Sequence, residues 1–353
     1  MKRSLLLLLV TVTFNCTVLP VTGCTKKEMP ENGIDCRKTD TPQARLICSD
    51  PALRDLNKSM VTVFNNACAN LSAAGRTTME DNQKNWQAYW IRSCSSDRYS
   101  VKFGPDAAAC ARTSFEERIN HLKNAVQSGF DGKFRLYHVK EYQTVPTDGS
   151  NERFMVAVHS WSYPRIDTGG LSGTDLAYAN RLNNLLKPTI SPQGEMNASD
   201  SNSDYITSLE MVSSNILMLS VNSEFMGHMA AHPNAGRSKR YFVKPSLHQL
   251  TVSDVFNGDR WQELLSLLVY MALKRELGDS LDAQSPQALL PMVTDPAHWE
   301  FGSNGLTVFF NAYEVACYAV GPQSVTISWN ALDSVLNDFI RSEFSGMRPD
   351  KGR

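Results

Sequence analysis

The sequence predicts an α+β protein in which a small disulfide-clasped α-helical bundle is followed by an α+β domain with a mainly antiparallel sheet. In the first part of the chain, apolar residues recur at helical spacing between Leu53 and Leu122. From Phe134 onward, apolar and polar residues alternate in short runs, as is typical of strands. Five of the eight cysteines lie between Cys36 and Cys110, a density that suits a small exported unit held by disulfides.

The N-terminus predicts export and a lipid anchor. The stretch MKRSLLLLLVTVTF has two cations before an apolar run that is short for a membrane span, as in a secretory signal peptide. Val21-Thr22-Gly23-Cys24 is similar to a bacterial lipobox, which implies that residues 1–24 are a signal peptide with a lipobox and that cleavage before Cys24 makes this lipidated cysteine the new N-terminus. Residues 25–34 would then form a polar tether. The alternative is an ordinary cleaved signal with Cys24 as a disulfide partner.

Thr25 follows the lipobox cysteine, where an Asp would favour retention at the inner membrane. We therefore expect a lipoprotein of the cell envelope that faces the periplasm and is attached to the outer membrane.

Charge argues against one large class of partners. The formal net charge is −1, so general nucleic-acid binding is not expected. Residues 36–125 carry 13 Lys and Arg against 9 Asp and Glu, a net charge of +4, and residues 126–353 carry 18 against 24, a net charge of −6. A solvated surface is the simplest interpretation of this difference.

Residues 35–128 are predicted to form a helical domain of four helices. The longest begins at Asp50, a typical capping residue, with Pro51 at its first position, and is expected to end at Gly75. A shorter helix precedes it within TPQARLIC, and two more follow, through Trp86 and through Phe115. Aromatic residues at helical spacing are usually core residues, so no cofactor is predicted here.

The helical part resembles the LprI-like lysozyme-inhibitor family. The resemblance is carried by DCRKTDTPQARLICSDPALRDLN, NQKNWQAYWIRSC and CARTSFEERINHL. The four cysteines of that pattern fall on Cys36, Cys48, Cys94 and Cys110, and its other landmarks on Gln83, Trp86 and Arg118. Phe115 stands where Tyr is usual, and Cys68 is extra. The resemblance implies an inhibitor of lysozyme.

The cysteines beyond Cys24 are predicted to pair, since export places them in an oxidising compartment. An antiparallel hairpin of the second and third helices, joined near Gly75, favours Cys48–Cys94 with Cys36–Cys110 over the local pairs Cys36–Cys48 and Cys94–Cys110. Cys68 and Cys317 are predicted to bridge the two domains; the alternative is two buried free thiols.

Residues 129–345 are predicted to form the α+β domain. The predicted strands are FRLYHVKEYQTV, FMVAVHSWSYP, YITSLEMVSSNILMLSVNSEF, RYFVKP, LTVFFNAYEV and SVTISW. The predicted helices are DLAYANRLNNLL and WQELLSLLVYMALKREL, the second capped by Asp259.

Glu224, His228 and His232 are the candidate metal ligands because they recur every four residues. A helix through them would contain Gly227 and stop at Pro233, whereas the preceding ILMLSVNSEF alternates like a strand. On a strand, Glu224 and His232 would be about 26 Å apart at roughly 3.3 Å per residue. A strand entering a turn is the simpler interpretation, and no metal is predicted.

The C-terminal part resembles the corresponding domain of RsiV-type anti-sigma factors, which also occurs beside the catalytic domain of some cell-wall polysaccharide deacetylases. The resemblance is carried by GHMAAHPN, LTVSDVF and LTVFFNAYEVACYAVGPQSVTIS, most strongly from Tyr313 to Pro322. Cys317 stands where Pro is usual. In RsiV-type proteins this domain binds lysozyme, which implies a lysozyme-facing or wall-facing role; no contact residues can be carried over.

No motif of an enzyme is present: neither G-x-S-x-G nor H-E-x-x-H, nor a phosphate-binding glycine loop, nor the metal-binding motif of the deacetylases. We therefore expect a binding protein without cofactor. Its expected partner is lysozyme or another cell-wall hydrolase, inhibited by steric occlusion. Peptidoglycan binding and a purely structural envelope role are the alternatives.

Overall fold

The computed structural model describes residues 33–149, 154–188 and 198–344. Residues 1–24, with the predicted lipidation site Cys24, and most of the predicted tether lie outside the described residues. In the part of the chain that is described, no helix is both long and apolar enough to cross a membrane.

Four helices form the N-terminal part, and side chains cap the first three. They are α1 (Pro42–Ser49), α2 (Pro51–Ala69), α3 (Ala73–Ser93) and α4 (Ala107–Lys123). Asp50 accepts a hydrogen bond from the backbone N–H of Leu53 at the start of α2, as predicted. The predicted end at Gly75 is wrong. The helix ends at Ala69, and Gly75 lies inside α3, because Ser72 caps a new helix by accepting from the Gly75 N–H.

The fold is the predicted combination of helices and a mainly antiparallel sheet. Seven strands pair in chain order: β1 (Val126–Phe130), β2 (Phe134–Pro146), β3 (Val156–Ile166), β4 (Ser201–Met211), β5 (Ile216–Gly227), β6 (Asn234–Val243) and β7 (His248–Gln249). Only the β3–β4 pair is parallel, and α5 (Gly173–Leu186) lies in its connection. Parallel neighbours need such a crossover, whereas antiparallel neighbours can be joined by a short connection.

A second sheet of three antiparallel strands follows, with the order β10-β9-β8. Its strands are β8 (Trp299–Phe301), β9 (Gly305–Phe310) and β10 (Gln323–Ser328). The helices around it are α6 (Val252–Val255), α7 (Trp261–Leu277), α8 (Leu290–Val293), α9 (Trp329–Leu332) and α10 (Asp338–Phe344). The cap of α7 is Arg260, without a side-chain hydrogen bond, so the predicted Asp259 cap is wrong.

The helical part and the seven-stranded sheet share one hydrophobic core. Tyr137, Val139 and Tyr163 of β2 and β3 belong to the same buried cluster as Trp86 and the other apolar side chains of α2, α3 and α4. A second cluster lies between α5 and the sheet, and a third joins the small sheet and α7 to β5 and β6. Each helical layer is therefore packed on strands, and the helices do not form a separate body.

Helix α3 covers an open edge of the large sheet. Strand β1 pairs with β2 only as far as Tyr137, which leaves the backbone of β2 beyond that point without a strand on this side. Asn85 donates to the carbonyl of Tyr142 over 2.9 Å and accepts from its N–H over 2.7 Å. Asn82 donates to the carbonyl of Lys140 over 2.7 Å. These amides take the place of a neighbouring strand and protect the edge.

Within the described residues, the disulfides are the local pairs Cys36–Cys48 and Cys94–Cys110, so the predicted pairs Cys48–Cys94 and Cys36–Cys110 are wrong. Helix α1 brings Cys48 back to Cys36, and the α3–α4 connection brings Cys110 back to Cys94. Both bonds therefore close neighbouring segments. The predicted hairpin also fails in its packing, because α2 lies mainly against α4 while α3 lies along β2.

The predicted bridge between Cys68 and Cys317 is also wrong, because both cysteines are free. Cys68 faces the helical core, where burial raises the pKa of its thiol to about 11. Cys317 is exposed on the segment between β9 and β10. The alternative of two buried free thiols is therefore correct for Cys68 and wrong for Cys317, which is exposed.

Candidate binding surface

The three candidate metal ligands contact different neighbours. Glu224 is exposed on β5. The ring of His228 stacks on Phe154 with 4.1 Å between centroids and lies 3.2 Å from the Asn202 side-chain oxygen. His232 lies in the turn before β6. As predicted, the chain there is a strand that enters a turn. Among the described residues, no three His, Cys, Asp or Glu side chains are grouped so as to hold a metal ion.

An aromatic ridge, defined here as His232, Tyr313 and Tyr318, joins two distant segments. The rings of His232 and Tyr318 stack with 3.8 Å between centroids, and the Tyr318 hydroxyl donates to the carbonyl of Pro233 over 3.0 Å. The Tyr313 ring lies 5.3 Å from that of Tyr318. The β5–β6 turn and the segment after β9, both singled out in the sequence, therefore form one surface.

Tyr313 is presented to solvent by a strained backbone. Its φ of 71° lies in the left-handed region, which is unfavourable for a bulky residue, and the side chain is 56% exposed. On either side the chain is fixed: the Glu314 carboxylate accepts from the Asn311 N–H over 2.6 Å, and Val315 is buried. Strain of this kind persists where the surroundings enforce it and is frequent at binding sites.

Asn311 ties the ridge to the large sheet. Its side-chain oxygen accepts from the Arg237 N–H over 2.8 Å, and its side-chain nitrogen donates to the Arg237 carbonyl over 3.2 Å. The amide thus pairs with the outer edge of β6, as Asn85 pairs with β2. The ridge is therefore held by a rigid element and is organised before any partner binds.

A groove of about 420 Å³ runs beside the ridge. It lies between the ends of β4, β5 and β6 and the strands of the small sheet. Its lining is mixed, with carboxylates, amides, one arginine and apolar side chains: Asp204, Ile206, Asn222, Ser223, Glu224, Ala235, Gly236, Arg237, Phe309, Phe310, Asn311, Pro322, Gln323 and Ser324. Such a mixture suits a polar partner with some apolar surface.

Two carboxylates of the groove, those of Asp204 and Glu224, lie on neighbouring strands. Asp204 and Glu224 are direct cross-strand partners, and like charges in this arrangement are unfavourable. Lys140 lies 3.1 Å from the Asp204 carboxylate, and the Ser160 hydroxyl donates to it. The Arg237 guanidinium stacks on Phe309, 4.0 Å from the ring centroid, and lies 3.8 Å from Glu300. Glu224 thus remains as an exposed carboxylate that suits a cationic group of a partner.

The landmarks of the helical part meet in the core and not at the surface. Arg118 donates to the Gln83 side-chain oxygen over 2.9 Å and to that of Asn82 over 3.0 Å. Its guanidinium lies 5.8 Å from the centroid of the Trp86 ring. Burial lowers the pKa of Arg118 to about 10, so it is still charged at neutral pH. Gln83, Trp86 and Arg118 therefore stabilise the bundle and are not available to a partner.

One buried pair resembles a catalytic arrangement but has no access. His159 Nδ1 lies 2.8 Å from the Ser203 hydroxyl, and its Nε2 lies 3.0 Å from the carbonyl of Ala198. Both side chains are buried, with 1% and 7% of their surfaces exposed. A nucleophile must reach its substrate, so this pair is interpreted as a hydrogen bond between β3 and β4.

Asp167 joins the helices to the end of β3. Its carboxylate accepts from the Ser72 N–H over 2.8 Å and from the Ser72 hydroxyl, and Arg135 lies 3.8 Å away. Close packing reinforces the joint, since a Cβ on Gly169 would lie 1.9 Å from that of Ser72. No local pattern predicts this contact, because the two partners are 95 residues apart.

We expect Asp167→Ala to lower the free energy of unfolding by about 1–3 kcal/mol, since a buried N–H and hydroxyl lose their acceptor. Urea denaturation followed by circular dichroism measures the change. Asp175→Ala is the matched control, because Asp175 forms only an exposed ion pair with Lys133 and its loss should cost less than about 1 kcal/mol. Equal effects of the two variants would contradict this role of Asp167.

Two histidines, His121 on α4 and His138 on β2, predict that acid lowers the stability of the folded protein. Burial, with the nearby positive groups Arg118, His138 and Lys140, lowers the pKa of His121 to about 3, and burial lowers the pKa of His138. Both histidines are neutral in the folded state at pH values where the unfolded chain, with a His pKa of about 6.5, binds protons. Stability is therefore fully present above about pH 6.5 and decreases as the pH falls toward 3.

We expect His121→Gln to make this decrease shallower by up to about 1.4 kcal/mol per pH unit, the contribution of one proton. Urea titrations between pH 7 and pH 4 measure the slope. His248→Gln is the control, because His248 is exposed in β7, outside α4 and β2. Parallel stability curves for the wild type and His121→Gln would contradict the assignment.

Comparison with known proteins finds a similarity to one family over part of the chain. Residues 253–330 match the family described as a protein of unknown function (DUF3298). The matched segment includes Tyr313 and Tyr318 of the ridge. No curated protein matches the chain.

Solved structures also match, among them two of the same family. A member of that family from Bacteroides fragilis NCTC 9343 is 15% identical, with a TM-score of 0.41, over 60% of this chain and 98% of that one. A DUF3298 family protein from Pseudomonas aeruginosa PAO1 is 13% identical, with a TM-score of 0.40, over 60% of this chain and 97% of that one.

Proposed function

We propose that this chain is a binding protein of the bacterial envelope whose partner is lysozyme or another wall-cleaving hydrolase, and that it inhibits the partner by steric occlusion. The observation that carries the proposal is the aromatic ridge beside a groove that presents one exposed carboxylate, Glu224. Rigid, exposed aromatic side chains are typical of the residues that dominate protein interfaces. The proposal assigns the chain no catalytic activity and no cofactor.

The two resemblances support the choice of partner. The segments that resemble RsiV-type domains, which bind lysozyme, are those that form the ridge. The helical part resembles a family of lysozyme inhibitors. Vertebrate-type lysozymes are cationic, so the net charge of −6 over residues 126–353 and the exposed Glu224 favour their approach.

Attachment to the envelope is part of the same proposal. A lipid on Cys24 would hold the protein at the outer membrane, facing the periplasm, where it meets a hydrolase that attacks the wall. The polar residues after Cys24 would give it the necessary reach.

Peptidoglycan itself is the second candidate partner. Asp204, Asn222 and Gln323 line the groove and offer hydrogen bonds to sugar hydroxyls, and the aromatic ridge beside them offers faces on which a sugar ring packs. A purely structural envelope role would leave ridge and groove without a partner.

A pull-down separates the three candidates. The full mature chain is incubated with immobilised vertebrate-type lysozyme and, in parallel, with purified sacculi. Retention on lysozyme with inhibition of its turnover supports the proposal. Retention on sacculi alone favours the second candidate, and retention on neither favours a structural role.

A further inference from the structure

The connection between α3 and α4, residues 95–104, presents an aromatic side chain to solvent. Tyr99 is 81% exposed and the neighbouring Val101 is 36% exposed, although burial would be favourable for both. Nothing in the packing of the helices requires a tyrosine at this position.

The loop is rigid despite its exposure. The Ser95 hydroxyl accepts from the Lys102 N–H over 3.1 Å and lies 2.9 Å from the carbonyl of Ser100. The Asp97 carboxylate accepts from the N–H groups of Tyr99 and Ser100 over 2.8 and 2.6 Å. The Cys94–Cys110 disulfide closes the base. A loop fixed in this way loses little conformational entropy when it binds.

The loop adjoins the surface that carries the ridge. Ser95, Ser96 and Gly104 at its base line a cleft of about 380 Å³ together with Phe154 and Asn202. These last two residues contact His228 at the start of the β5–β6 turn, and the same turn carries His232 of the ridge. Loop, cleft and ridge thus follow one another along a surface built from both parts of the chain.

The loop carries a small positive charge. Residues 95–104 contain two cations, Arg98 and Lys102, against one anion, Asp97. The Asp97 carboxylate is already used within the loop, and Lys102 is exposed. The catalytic clefts of glycan hydrolases have a pair of carboxylates and binding sites for sugar rings. An exposed tyrosine and an exposed lysine on the same loop are complementary to both.

We propose that residues 95–104 are the inhibitory wedge, which enters the glycan cleft of the hydrolase with Tyr99 in a sugar subsite and Lys102 facing the catalytic carboxylates. The inference rests on the proposed function and divides it into two parts. The ridge and groove hold the hydrolase, and the loop blocks its cleft.

The test measures binding and inhibition separately on the full mature chain with vertebrate-type lysozyme. The variant Tyr99→Ser/Lys102→Ser is expected to weaken inhibition of peptidoglycan lysis at least tenfold. The same variant should bind an inactive lysozyme, with its cleft filled by a chito-oligosaccharide, as tightly as the wild type binds it. Leu267→Ser/Lys274→Ser is the matched control, with an exposed apolar residue and a lysine on α7, and should inhibit like the wild type. Both variants are expected to keep the unfolding midpoint of the wild type, because the replaced side chains are exposed. An unchanged midpoint shows that a loss of inhibition is local to the replaced residues.

The outcomes separate the two proposals. If the wild type binds and inhibits lysozyme and the loop variant inhibits equally well, the wedge is refuted and the proposed function stands. If the wild type neither binds nor inhibits lysozyme, both are refuted.

Discussion

Replacing Trp86 with alanine is expected to lower the free energy of unfolding by about 3–5 kcal/mol, the usual cost of removing a large buried aromatic side chain. Trp86 is 1% exposed, and its ring packs edge-on against Phe115 with 4.9 Å between centroids. It also contacts the buried Arg118 guanidinium, which loses a favourable neighbour in the variant. Urea denaturation followed by far-ultraviolet circular dichroism measures the loss.

The same variant tests whether helices and sheet unfold together. Since Trp86 belongs to the cluster that includes Tyr137 and Tyr163 of the sheet, near- and far-ultraviolet signals should change in one transition. Tyr99→Ala is the control and should alter stability by less than about 0.5 kcal/mol, because its side chain is exposed. A loss below about 1 kcal/mol for Trp86→Ala would contradict this description of the core.

Replacing Tyr313 with glycine is expected to weaken lysozyme binding by at least about 2 kcal/mol, or about thirtyfold in Kd, if the ridge holds the partner. Glycine adopts the positive φ of this position without strain. The free energy of unfolding should therefore be unchanged or higher, and a loss of affinity cannot be ascribed to misfolding. Surface plasmon resonance with immobilised lysozyme gives the Kd.

Met271→Ala provides the matched control for Tyr313. Met271 is 60% exposed on α7, and α7 does not line the groove. Its replacement should change the Kd by less than about twofold, since scattered exposed apolar residues are common on proteins. Equal affinities of the Tyr313→Gly variant and the wild type would remove the ridge from the interface.

Local patterns were sufficient for most of the secondary structure. Asp50 before Pro51 predicted the start of α2, because a cap acts on N–H groups two or three residues away. Alternation of apolar and polar residues predicted β5, because successive side chains of a strand point to opposite faces. The same pattern excluded a helix through Glu224 and His232. The errors at Gly75 and Asp259 are local too. Gly75 is a plausible helix end, but α2 ends before it and Ser72 caps the next helix. Asp259 is a plausible cap, but the cap of α7 is Arg260.

The sequence by itself determined that the chain has capped helices, then alternating strands, and that its cysteines concentrate in the helical part. The tertiary structure decided which of them pair, placed Gln83, Trp86 and Arg118 in one core, and joined Ser72 to Asp167. It also brought His232 onto Tyr318, which no local pattern connects. Periodicity and capping act within one or two turns of chain, whereas a contact between residues 86 apart depends on the path of everything between them.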